Sequence, residues 1–155
     1  MTEKLILGLD ISTTIIGYSV VDFSSTLIDY GSIIFDSNDG LSLFDKCSQA
    51  ILKLNRDVFE KYDIGEIAIE QYLKSFKSGF TNNNVLFKLA FMNNIINWEC
   101  SKTIKKEPML INVNTARSLV GIKFKKNGIK IDKKDKKSHI VDEITSLTTY
   151  EPVFN

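Results

Sequence analysis

Two carboxylates stand out for chemistry in this chain of 155 residues, Asp10 and Glu70. Each closes an apolar run, Leu5-Ile6-Leu7-Gly8-Leu9-Asp10 in one case and Ile67-Ala68-Ile69-Glu70 in the other. On a strand, side chains alternate between faces. Gly8 therefore shares a face with Asp10, and Ala68 with Glu70, while the larger aliphatic residues between them take the other side. A lone charge at the end of one such strand is most simply a solvated residue at the rim of a sheet, because charges are rarely buried unpaired. Two strands of the same design change that reading. As parallel neighbours they would bring the carboxylates together at about the 5 Å strand spacing. At that distance they repel unless a cation sits between them. Hard oxygen donors suit Mg²⁺ or Mn²⁺, and the carboxy-terminal edge of parallel strands is where open α/β sheets hold their ligands.

The elements that must position this pair follow from hydrophobic period and turn residues. Leu5 to Asp22 reads as a hairpin with a polar turn after Ile11, and Thr26–Phe35 as a third strand, giving an antiparallel meander. Ser42 with Asp45 approximates a capping box that opens an amphipathic helix over Leu41–Tyr62. Gly65 to Gln71 is then a strand, most simply parallel to the first through a right-handed crossover. Lys74 to Asn84 is a polar loop in which Phe76 and Phe80 alternate with Lys74 and Lys77, a pattern suited either to nucleic acid or to anchoring the loop. Val85 to Lys102 is a helix apolar on more than one side, with Leu86, Leu89, Ala90, Asn93 and Asn97 forming one stripe. Such a helix is central or packs against a second subunit. Met109 to Val113 is a short strand. Asn112 or Asn114 caps a brief helix through Val120, ended by Gly121. Lys123 to Lys137 reads as a basic loop, Ser138–Leu147 as a last short helix, and Tyr150 to Asn155 as irregular.

The chain is 43% hydrophobic, enough for one folded domain with a real core, and no apolar run approaches the roughly 20 residues of a membrane span. The first residues, Met1 to Lys4, do not form a charged-then-apolar signal peptide. Cys47 and Cys100 have no metal-ligand spacing, so reduced structural thiols in the cytoplasm are expected. A net charge of +1 conceals an asymmetry. Residues 102–137 carry 12 Lys and Arg against three acids, whereas the rest carries 8 against 16. A basic segment on a near-neutral protein points to a polyanionic partner at one face, or to a solvated charged loop. One histidine and two cysteines at unrelated positions make no nucleophilic triad or dyad.

Three antiparallel strands, a helix, and two parallel strands interleaved with helices resemble the ribonuclease H-like order, an α/β fold whose mixed five-stranded sheet is flanked by helices. Within it the chain resembles the RuvC family of Holliday-junction resolvases, in particular small phage and viral members, which would place it in the host cytoplasm. The likeness lies in Gly8-Leu9-Asp10 with the turn to Gly17-Tyr18-Ser19-Val20-Val21-Asp22, in Ala68-Ile69-Glu70-Gln71, in Val113 to Gly121, and in Asp135-Lys136-Lys137-Ser138-His139-Ile140-Val141. It departs at Lys123, where a second glycine is often found, and at Leu73, where the family has its junction-opening aromatic; Tyr72 or Phe76 could substitute. The resemblance implies that Asp10 and Glu70 are metal-binding catalytic carboxylates holding Mg²⁺ or Mn²⁺, two ions per site. It also implies that the substrate is a four-way junction of branched DNA and that the protein is a homodimer. The family's closing Asp-x-x-Asp helix has no counterpart after Thr148. The single domain, 1–155, is therefore expected to lack the last helix, or His139 and Asp142 are recruited as further ligands. Two rival readings follow. One is a non-catalytic junction-binding protein with the same fold. The other is an actin-like or sugar-kinase-type domain, in which Ile11-Ser12-Thr13-Thr14 would cradle phosphate.

Overall fold

The computed structural model describes residues 4–36, 38, 40–72, 83–119, 125–126, 129–130, 136 and 138. The chain divides into two compact units, Met1–Ile111 and Asn112–Asn155.

The first unit is built on a five-stranded sheet in the order β3-β2-β1-β4-β5. Its strands are β1 (Leu5–Ile11), β2 (Ile15–Val21), β3 (Leu27–Ile34), β4 (Ile64–Glu70) and β5 (Met109–Ile111). β1, β2 and β3 form the expected antiparallel meander, and β4 and β5 add parallel to β1. The mixed sheet read from the sequence is the one observed. Ser12 closes the first hairpin. Its hydroxyl donates to the Ile15 carbonyl at 2.7 Å and accepts from the Ile15 amide at 3.1 Å. Asp22 closes the second, its carboxylate accepting from the Thr26 amide at 2.7 Å and the Ser24 hydroxyl at 2.8 Å. Those two bonds hold its carboxyl below the usual range.

Two helices cover one face of the sheet. α1 (Leu43–Leu54) starts at a full capping box, in which Ser42 and Asp45 each satisfy the other's amide at 3.1 Å. Where one continuous helix to Tyr62 was expected, the α-helix gives way to a π-helical turn, Asn55–Phe59. The wider turn still directs Val58 inward with Leu54. α2 (Asn83–Ile104) packs on α1 and on β4 and β1. The core lies between these layers. Leu7, Ile16, Val20 and Ile69 from the sheet meet Ala50, Val58, Met92 and Ile96 from the helices, all at 0% exposure. Burying each of the larger aliphatic side chains is worth roughly 1.5–3 kcal/mol.

In the second unit, α3 (Val113–Leu119) is opened by Asn112, whose side-chain oxygen accepts from the Asn114 amide at 3.0 Å. The expectation of a loop over Lys123–Lys137 needs correction. β6 (Lys125–Lys126) pairs antiparallel with β7 (Ile129–Lys130), with Lys126 opposite Ile129. Asn127-Gly128 between them is the dipeptide that favours a two-residue hairpin connection. The expected loop from Lys74 through Asn82, the aromatics Phe76 and Phe80, and His139 and Asp142 lie outside the described residues, as does most of the Ser138–Leu147 helix.

Candidate functional site

β1 and β4 build the site by alternation. Leu7, Leu9 and Ile11 are buried against the helices, so the intervening Asp10 projects from the opposite face and is exposed. Ile67 and Ile69 are buried in the same way, which places Glu66, Ala68 and half-buried Glu70 on the face of Asp10. The parallel register pairs Leu7 with Ile67, Gly8 with Ala68 and Leu9 with Ile69. One residue further on, Asp10 and Glu70 stand at the carboxy ends of neighbouring strands.

Glu66, four positions before Glu70 on the same face, is held in an ion pair by Lys106. Gly17 on β2 pairs with Asp10, and among the described residues a side chain added there would meet nothing within 4 Å, so they leave open space beside the carboxylate. At Gly8 an added Cβ would come within 2.9 Å of the Ser19 hydroxyl, which makes the floor below Asp10 a close approach between strands. On β4, the Gln71 amide donates to the Ile111 carbonyl at 2.9 Å, and the Asn93 side-chain amide donates to the Glu70 carbonyl at 3.2 Å. Asn93 comes from α2 and is 1% exposed. In the sequence it sits on a stripe with Leu86, Leu89 and Ala90, and nothing there marks it as polar support for a strand 23 residues away.

The donor set suits one class of ligand. Two carboxylates on adjacent strand ends offer only hard oxygens, and Mg²⁺ is commonly held by one or two carboxylates with water and substrate phosphate completing its shell. Asp10 and Glu70 therefore fit Mg²⁺ or Mn²⁺. Among the described residues no group of three or more His, Cys, Asp or Glu gathers at one point. The Ser12 hydroxyl is engaged within its own turn. Cys47 and Cys100 are buried free thiols, and burial pushes Cys47 up and Cys100 up to about 12, so neither is a nucleophile near neutral pH. No helix among the described residues is long and apolar enough to cross a membrane.

The sheet order and its helices define a ribonuclease H-like fold. Neither a family model nor a curated protein sequence matches the chain. Among solved structures it is similar to Thermus thermophilus RuvC, with a TM-score of 0.68 at 10% identity over 97% of this chain and 84% of that one. It is also similar to T. thermophilus RuvC in complex with Holliday junction substrate, with a TM-score of 0.63 at 9% identity over 76% and 70% of the two chains. A transcriptional regulator of the ROK family, a homologue of E. coli MLC protein, matches with a TM-score of 0.50 at 10% identity over 77% of this chain and 30% of its own.

Proposed function

We propose that this chain is a divalent-metal-dependent endonuclease that nicks branched DNA, with Asp10 and Glu70 as its catalytic metal ligands. The observation that carries the reading is the β1–β4 register, which sets two carboxylates side by side at parallel strand ends on an accessible face. The likeness to a RuvC solved with a Holliday junction substrate supports the choice of nucleic acid.

In this reading the two carboxylates hold two Mg²⁺ or Mn²⁺ ions. When bound, the cations supply an activated water and stabilise the leaving oxygen of an in-line phosphodiester displacement. The chain's own part is geometric. β1 and β4 fix the two ligands, and Gly17 leaves room beside Asp10 for a sugar–phosphate strand. Lysines and arginines of residues 102–137 take phosphates on the duplex arms. A second copy docks along α2, where Phe87 and Trp98 are 69% and 61% exposed, and the dimer presents two sites to the two strands that must be cut.

The test is a labelled synthetic four-way junction incubated with and without Mg²⁺ or Mn²⁺. The wild-type chain nicks it only with metal. Asp10→Asn and Glu70→Gln lose nicking while still binding the junction, because phosphate contacts supply most of the affinity. A wild-type chain that binds junctions, ignores divalent metal and never cuts would establish the non-catalytic reading instead.

A further inference from the structure

The geometry points to Asn93 as a positioning residue for the carboxylate pair: its buried amide holds the carboxy-terminal end of β4 and, through it, aims Glu70 for cation binding. This role rests on the metal-site reading above.

Asn93 is the buried polar side chain of the described core, set among Met92 and Ile96 on α2. Its Nδ2 donates to the Glu70 carbonyl at 3.2 Å, and its Oδ1 is buried without a partner among the described residues. That bond fixes the orientation of the amide, since exchanging its two ends would set Oδ1 against the Glu70 carbonyl oxygen. A buried acceptor left unsatisfied is costly, and an apolar side chain of similar size avoids that penalty. Packing alone therefore does not account for an asparagine at this position. What it does supply is a donor at one particular carbonyl.

That carbonyl belongs to the residue just past the last pair of the β1–β4 register, Leu9 with Ile69. Asn93 thus carries the constraint on β4 one residue beyond that pairing, onto the residue that bears the carboxylate. On the far side, Gln71 is tied to Ile111 on β5. With the Glu70 carbonyl held and the next amide held, the peptide following Glu70 has a set orientation, and the direction of its Cα–Cβ bond follows. Groups that orient a metal ligand from behind typically matter by 10- to 100-fold in metal affinity.

The experiment titrates Mn²⁺ into the wild-type chain and the Asn93→Leu variant. The rise in melting temperature gives an apparent dissociation constant, and each protein is also melted without metal. A positioning role predicts that Asn93→Leu keeps its circular dichroism spectrum and its metal-free melting temperature within a few degrees, yet binds Mn²⁺ roughly 10- to 100-fold more weakly. A purely structural asparagine predicts the reverse, a lower metal-free melting temperature with wild-type Mn²⁺ affinity, and that result overturns the proposal. Should Asn93→Leu fail to fold, Asn93→Ala makes the same comparison, and wild-type affinity in it is equally fatal. The two levels separate in the controls. A wild-type chain whose Mn²⁺ response does not depend on Asp10 and Glu70 defeats the metal-site reading and this role with it. A normal wild-type response shared in full by the Asn93 variants defeats this role alone.

Discussion

Asp10 and Glu70 carry like charges one residue past the last paired positions of two parallel strands. On the proposed metal-site reading, their repulsion works against the fold when no cation is bound. Asp10→Asn and Glu70→Gln are expected to melt at the same temperature as the wild type or higher when no metal is present. Both are expected to lose any stabilisation by Mn²⁺, which differential scanning fluorimetry with and without the ion reads directly. A residue-level prediction also follows for the thiols. Burial raises the Cys100 thiol to about 12, so it stays protonated at pH 8. A colorimetric thiol reagent should therefore leave Cys47 and Cys100 unlabelled in the native chain and label both once urea unfolds it. The raised value also has a pH consequence. The unfolded chain gives up the Cys100 proton first, so this contribution is intact below about pH 9 and is lost as the pH climbs from 9.0 towards 12. The carboxylate pair was legible in the sequence because alternation assigns faces without any knowledge of the fold. Asn93 was not, since its partner is a main-chain carbonyl, which has no sequence signature.

The elements divide along the same physical line. Alternating strands and the start of the helix with Ser42 at its cap are local patterns, and they appear where local chemistry put them, shifted by a residue or two. The π-helical turn at Asn55–Phe59 has no compositional mark, because it depends on how the end of α1 packs on the core. β6 and β7 were obscured by charge. Lysine is a poor strand residue, so a run of lysines reads as loop. The paired strands set Lys125 opposite Lys130 in register. Binding of branched DNA should weaken steeply with salt, with a log–log slope of about −0.9 for each phosphate neutralised. Replacing Lys125, Lys126, Lys133 and Lys134 together by alanine should flatten that slope, measured by fluorescence anisotropy between 50 and 200 mM salt, to roughly four phosphates fewer at most. An unchanged slope would remove the segment from the interface.

At the scale of the whole molecule, α2 does two jobs. One side enters the core through Met92, Asn93, Ile96 and Cys100, and the other leaves Phe87 and Trp98 exposed, with the Lys102 ammonium 4.0 Å over the indole ring. A helix apolar on more than one side was plain in the sequence, but which side meets solvent depended on the sheet beneath it. Sedimentation velocity at micromolar concentration should show a dimer, and Trp98→Glu should give a folded monomer, because the change places a charge at the interface and leaves the buried side of α2 untouched. A variant that still sediments as the wild type does would place the contact elsewhere. Anomalous scattering from crystals soaked in Mn²⁺ tests whether the ends of β1 and β4 hold divalent metal. A metal site there gives a manganese peak within about 2.5 Å of a carboxylate oxygen from both Asp10 and Glu70. A map with manganese bound elsewhere on the protein, and none between these two side chains, would contradict it.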